Sequence, residues 1–336
     1  MPLAALPLAL VLSLVLTPVA VKIAWATGYL DHPEARKLHT SATALLGGAG
    51  VFLSALAAWG VAMRVMPHAP ADWEAYYLLF GAGVALATGL WDDRFGMRPS
   101  VKMLAQATAG VVLLAGGAIP RLGLPIGVDA AITLVALIGL MNAVNFLDNM
   151  NGMVAGLAAI ALVGFAWTSL QRGANGIAAA QLALAGACLG FLPHNFPRAR
   201  IFLGDAGSLF LGYSLGASAL LAMTGSRPGW GQAGPVLMLA YPALDLLFVV
   251  VTRLRAGRPV YEGGKDHTNH RLANLLRSTL TTVPLLWLLA ALLCASGLWV
   301  LRLNQVGPTL ALCGGWAAVL AWGGWKLAGV PVVHRG

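Results

Sequence analysis

Charge is scarce in this chain of 336 residues. Asp, Glu, Lys and Arg together make up 10% of it, with 12 acids against 21 Lys and Arg. Cysteine is nearly absent: Cys188, Cys294 and Cys313 are the three, and each falls inside a long apolar run. That placement excludes a disulfide framework and reads as small thiols packed between helices. There is no low-complexity tract, no clear internal repeat and no polar stretch long enough for a separate soluble domain. Residues 1–336 therefore read as one integral membrane domain. What fills the space is apolar: 59% of residues are hydrophobic and the mean hydropathy is +0.78, far from a soluble average.

The expected class is an all-α polytopic membrane protein. A spanning helix needs about 20 mainly apolar residues, and the chain divides into roughly eleven such stretches. They fall near 3–25, 46–63, 76–92, 100–118, 128–146, 152–168, 177–193, 206–224, 233–251, 282–302 and 308–326. The first could be a signal peptide, because Ala24-Trp25-Ala26 loosely matches a small-x-small cleavage site. No positive residue precedes it and Lys22 follows it, so it reads as a retained helix entering from outside. In that orientation every Lys and Arg except Arg64, Arg121, Arg172, Arg227 and Arg302 lies on the cytoplasmic side, as the positive-inside rule requires. The net charge of +9 is then topology plus attraction to anionic lipid and substrate, and nucleic acid need not be invoked. Trp73, Tyr76, Tyr77, Trp91, Trp230, Trp299 and Trp325 lie near predicted helix ends, where interfacial aromatics belong.

The few polar residues gather at that same face, and polar groups at membrane depth usually mark a cavity. Asp31 to His39 is a charged connector; a plain solvated loop explains it as well as a functional one does. Asp92 and Asp93 end the third stretch, with Lys102 beyond a Gly96/Pro99 turn. Adjacent acids repel each other, and they have the wrong sign for the end of their own helix, so a cation or a shared proton is expected. Asn142, Asn145 and Asp148 follow at i, i+3 and i+6, near one face of a helix end; a capped turn around Asn149 or Gly152 is the plainer account of the same run. The seventh stretch ends at His194 and Asn195, and Asn195 is counted among the substrate contacts. Gly204-Asp205-Ala206-Gly207-Ser208 then offers a metal-binding Asp and backbone N–H groups for a phosphate at a helix start. Asp245 lies within the ninth stretch, where it needs a polar cavity or a basic partner. His267, His270 and Arg271 suit a pyrophosphate better than zinc, since no third ligand follows; a basic surface helix is the alternative. Acids for a divalent cation beside Lys, Arg and His at a membrane surface suggest phosphoryl transfer between a nucleotide and a lipid.

From Asp31 to about Leu272 the chain resembles the polyprenyl-phosphate N-acetylhexosamine-1-phosphate transferases. The matching motifs are Asp-x-Pro-x-x-Arg-Lys-x-His (Asp31 to His39), Gly-Leu-x-Asp-Asp ending at Asp93 with Lys102 and Gln106, Asn-Ala-x-Asn-x-x-Asp (Asn142 to Asp148), Phe-Leu-Gly-Asp-x-Gly-Ser (Phe202 to Ser208) and His-x-x-His-Arg-Leu (His267 to Leu272). The resemblance implies attack by a polyprenyl phosphate on a UDP-N-acetylhexosamine, with release of UMP at the cytoplasmic face of the inner (plasma) membrane. It implies that Asp92 and Asp93 are the base or metal-associated pair and that Asp205 is the ligand for magnesium, with manganese as an alternative. Asn145 and Asp148 would hold the nucleotide-sugar, beside Asn142, and Lys102, His267, His270 and Arg271 the phosphates. A homodimer is an open option. The chain departs from the family pattern at Asn149 and Asn151, within Asp148-Asn149-Met150-Asn151-Gly152 where Asp-Gly-x-Asp-Gly is usual. It departs again at Asn269, within His267-Thr268-Asn269-His270 where His-x-His-His is usual. The prolines usual after His39 are also missing. The absent triple-His stretch and the eleven spans fit the N-acetylglucosamine branch, so UDP-GlcNAc is the expected donor and UDP-GalNAc or a modified sugar stays open. A transporter, a membrane prenyltransferase and a UDP-sugar sensor without turnover are the rival readings. Transporters usually bind near the midplane, and a prenyltransferase wants two spaced Asp motifs.

Overall fold

The computed structural model describes residues 2–32, 42–66, 73–226, 229–259 and 264–331. Pro33 to His39, the larger part of the first motif, lies outside the described residues. The rest is helical, apart from a two-residue antiparallel ribbon in which β1 (Leu30–Asp31) pairs with β2 (Thr43–Ala44). The helices are α1 (Ala5–Thr27), α2 (Gly47–Val65), α3 (Trp73–Phe95), α4 (Pro99–Ala115), α5 (Ile126–Leu147), α6 (Met153–Gln171), α7 (Asn175–Asn195) and α8 (Gly204–Thr224). They continue with α9 (Ala233–Met238), α10 (Ala240–Arg255), α11 (Thr268–Leu276), α12 (Thr279–Leu303) and α13 (Val306–Ala328).

Each of the eleven apolar stretches is helical. Among the described residues eight helices are long and apolar enough to cross a membrane, and a bent pair makes a ninth. The two stretches outside that group are α3, whose ends carry Glu74, Asp92, Asp93 and Arg94, and α4, whose 17 residues reach about 26 Å. The ninth stretch, expected as one straight span, is instead broken by 70° between α9 and α10. Pro242 explains the break: it has no N–H for an intrahelical bond, and its ring would collide with the carbonyl four residues back, at Met238.

The bundle is built around α8, in which every residue from Ala206 to Ala222 is buried. Helices α2, α3, α5 and α6 surround it, and α1 with α7 closes the outer layer. Small residues let the backbones touch. A methyl group on Gly48 would meet the backbone of Gly207, and one on Gly89 the backbone of Asp205 and Ala206. Gly186 and Gly190 of α7 meet the backbone of Leu6 and Leu10 in the same way, seating α1. Helices α12 and α13 lie at the periphery, and α13 buries only Thr309. Cys188, Cys294 and Cys313 are all unpaired thiols.

The α2 and α3 contacts fix the head of α8, so a single added methyl there should be costly. Gly89→Ala should lower the stability of the purified protein by about 1–3 kcal/mol through overpacking. Gly60→Ala, whose new methyl meets nothing within 4 Å, should leave the thermal midpoint unchanged or raise it slightly. Melting curves of the two variants in detergent compare them directly.

Candidate active site

Helices α3, α4, α5 and α8 end or begin at one level and bring their polar residues together. The joint that sets the level is made by Asp93. Its carboxylate accepts the backbone N–H of Asp205 at 2.8 Å and that of Ala206 at 3.0 Å. Gly204 at φ 71° makes the turn into α8, a conformation in which glycine is unstrained. An acid at the C-terminal end of its own helix is poorly placed for that dipole, but Asp93 lies on the N-terminus of α8, where negative charge is favoured. This answers the question posed by the adjacent acids and corrects one expectation: the N–H groups of Asp205 and Ala206 are taken by Asp93 and are not open to a phosphate.

With α8 seated, Asp205 meets two partners. Lys102 Nζ lies 2.5 Å from Asp205 Oδ2 and 2.8 Å from Asp92 Oδ2, bridging the two carboxylates. Asn145 Nδ2 donates to Asp205 Oδ1 at 2.7 Å and to Ser208 Oγ at 2.8 Å, while Asn145 Oδ1 accepts from Lys102 at 3.4 Å. Pro99 at the first turn of α4 starts that helix with its fixed φ and no lost hydrogen bond, which sets Lys102 one turn inside. Asn142, expected to touch substrate, instead exchanges hydrogen bonds with the fully buried Gln106 of α4 (2.7 and 3.4 Å) and donates to Ile138 O at 2.8 Å. It braces α4 against α5.

Asp148 is the C-terminal cap position of α5. Burial, with repulsion from Asp205 and then Asp93, raises its carboxyl to about 8, so at neutral pH it is mostly protonated and can donate a hydrogen bond. The turn after it is held by Asn149 Nδ2 on Phe146 O at 2.7 Å and by Asn151 Nδ2 on Pro197 O at 3.1 Å. Asn195 holds the start of α6: its Oδ1 accepts from Gly152 N at 2.5 Å and its Nδ2 donates to Ile201 O at 2.9 Å. Both ends of that amide are committed to backbone, so Asn195 is a strut and not the expected substrate contact.

The fifth motif forms a separate block anchored on α10. Asp245, fully buried, accepts from His267 Nδ1 at 2.7 Å, from Thr268 N at 2.8 Å and from Thr268 Oγ1 at 2.5 Å. One carboxylate thus orients an imidazole and caps α11. Asp266 makes a two-point bond with Arg253 at 2.8 and 2.7 Å. Arg271, expected on a phosphate, is engaged with protein carbonyls: its Nε donates to Asp266 O at 3.1 Å and its Nη1 to Leu327, Ala328 and Val330 at 3.3, 3.1 and 2.7 Å. It neutralises the C-terminal end of α13. Burial, with the charge of His267 second, lowers the His270 imidazole to about 4. His270 is therefore neutral at physiological pH.

Four residues used here were not marked as site residues by the sequence. Gln106, Ser208 and Asp245 orient the groups that face the site, and Asn149 ties the Asp148 turn to its neighbours. Gln106 lay inside a matched motif, and Asp245 stood out as an acid in an apolar stretch. Asn149 stood out as a departure from the family pattern, but nothing in the sequence linked it to Asn269.

The family model for glycosyl transferase family 4 matches residues 75–223. A probable undecaprenyl-phosphate N-acetylglucosaminyl 1-phosphate transferase of Bacillus subtilis is 31% identical over 271 residues, covering 77% of this chain and 74% of the relative. A decaprenyl-phosphate N-acetylglucosaminephosphotransferase of Mycobacterium tuberculosis is 33% identical over 298 residues, covering 78% and 73%. The undecaprenyl-phosphate alpha-N-acetylglucosaminyl 1-phosphate transferase of Escherichia coli is 26% identical over 292 residues, covering 83% and 78%.

The Arg253–Asp266 pair has a defined pH signature. Burial alone would raise Asp266, but the hydrogen bond and charge of Arg253 outweigh it and hold the carboxyl at about 2, below its ordinary value of 3.8. Stability from this pair is present above about pH 4 and is lost as the pH falls towards 2. Asp266→Asn should therefore lower stability by about 2 kcal/mol at pH 7. The gap to wild type should close between about pH 4 and 2, as read from paired melting curves across that range.

Proposed function

The chain belongs to glycosyl transferase family 4, and from that membership we propose that it transfers GlcNAc-1-phosphate from a UDP-sugar to a polyprenyl phosphate carrier, releasing UMP. The observation that carries the reading is the Asp92–Lys102–Asp205 bridge with Asn145 on its flank, a charged cluster at one end of the bundle where the ends of four helices meet. A carrier phosphate oxygen forms a bond to the phosphorus that bears the sugar. The bond from that phosphorus to the bridging oxygen breaks, and UMP departs with that oxygen and the electron pair. The cytoplasmic side of the plasma membrane is the proposed setting, supported by the distribution of Lys and Arg; α3 and α4 complete the crossing in the eleven-span reading.

Each side chain has a separable task. Lys102 supplies positive charge where phosphate oxygens gather and is held ready by two carboxylates. Asp92 is the acid left to accept a proton from a singly protonated carrier phosphate, because both oxygens of Asp93 are spent on the head of α8. Asn145 orients Asp205 and can turn its amide towards a sugar or phosphate oxygen. His267, held by Asp245, and the neutral His270 would offer hydrogen bonds from the α11 block.

Magnesium, or manganese in its place, fits the donors present. Asp205 and Asp92 are hard oxygen ligands on either side of Lys102, and magnesium commonly takes one or two carboxylates and leaves its other positions to phosphate and water. Once bound it would neutralise phosphate charge as a Lewis acid.

The test is UMP release by the purified protein with undecaprenyl phosphate and UDP-GlcNAc, with and without magnesium. UMP should form only with both substrates and the cation, and Asp205→Asn should lower the rate at least about 100-fold. Asp92→Asn should lose activity while keeping its melting temperature, whereas Asp93→Asn should lose both, since it loosens the α8 head. No UMP from any UDP-N-acetylhexosamine would overturn the transferase reading in favour of a sensor or a transporter.

A further inference from the structure

The α11 block is tethered three ways to α10 and α13, through Asp245, Arg253 and Arg271. The charged cluster is built on α3, α4, α5 and α8. An amide pair spans from one to the other: Asn269 Nδ2 donates to Asn149 Oδ1 at 2.7 Å. Asn269 is fully buried and Asn149 half-buried.

The polarity of this bond is fixed by backbone groups at both ends. Asn269 Oδ1 accepts the N–H of His270 at 2.7 Å, and a backbone N–H can only donate, so the Nδ2 end of Asn269 must face Asn149. Asn149 Nδ2 donates to Phe146 O at 2.7 Å, and a carbonyl can only accept, so the Oδ1 end of Asn149 must face Asn269. Neither amide can flip without setting two like groups against each other. The pair is therefore a directional joint. It acts on the residues next to it in the chain: Asn149 follows Asp148, and Asn269 precedes His270.

We propose that Asn149 and Asn269 are a positioning pair for sugar-nucleotide recognition, fixing the Asp148 turn and the His270 imidazole of α11 at the separation at which both reach the same ligand. This rests on the transferase reading. The ligand class follows from the groups so placed. Amides, a carboxyl and an imidazole suit the hydroxyls of a sugar and the polar edge of uracil, whereas a polyprenyl chain would need an apolar wall.

The experiment is a double-mutant cycle of Asn149→Ala, Asn269→Ala and the pair, read by KM for each substrate and by the shift in melting temperature that UDP-GlcNAc produces. Each single variant should raise the KM for UDP-GlcNAc about fivefold to tenfold, the worth of one buried hydrogen bond. The double variant should be no worse than the singles, and the KM for undecaprenyl phosphate should be unchanged. Additive effects, equal losses for both substrates, or a fall in melting temperature with KM unchanged would overturn the proposal. Asn149→Ala, at the less buried end, carries the test if Asn269→Ala does not fold. A wild-type protein that binds UDP-GlcNAc but makes no UMP would sink the transferase reading alone, with the pair still read by the ligand-induced shift. A wild-type protein with neither turnover nor shift would sink both.

Discussion

The two hydrogen bonds from the head of α8 to Asp93 are the constraint on which the rest of the site depends. They satisfy N–H groups that no helix can satisfy for itself, and they do so with a charge the helix dipole favours. Because Asp93 sits at the end of α3, the bonds also set the height of α3 against α8. Asp205 then falls within reach of Lys102 from α4 and Asn145 from α5. Glycines at 48 and 89 allow the backbones to close around this joint, so the placement of Asp205 is decided by close main-chain packing together with the Asp93 carboxylate.

A second principle organises the site from the other side. Helix α11 is too short to be stable alone and is held by fixed polar anchors: Asp245 at its start, the Arg253–Asp266 pair just before it, and Arg271 reaching to α13. These groups are buried and paired, as charges in an apolar setting must be. Their effect is to present His267 and His270 in defined orientations. Several residues that looked like ligand contacts because they were polar in an apolar chain, notably Arg271, Asn195 and Asn142, are spent on holding others still.

Composition and run length made the all-helical membrane class legible, and ten of the eleven apolar stretches are unbroken helices. The exception, at residues 233–251, hinges on whether Pro242 falls in a helix's first turn, where it is tolerated, or in its interior, where it is not; periodicity does not settle that. Asp92, Lys102, Asn145 and Asp205 were legible as one cluster because charge is so rare in this chain. What could not be read was division of labour. Asp92 and Asp93 are indistinguishable as letters, and only the arrival of α8 from a hundred residues away commits one of them. The Asn149–Asn269 bond was hidden for the same reason: it joins positions 120 residues apart by a contact that neither local sequence implies.

The burial of α8 also separates the candidate site from the lipid around it. Since every residue from Ala206 to Ala222 is buried, the middle of the helix that carries Asp205 is covered by other helices and not by acyl chains. Changes in lipid thickness or fluidity press instead on peripheral elements such as α13. Such changes should therefore reach the candidate site only weakly, because the helix that carries Asp205 is held by other helices and not by lipid.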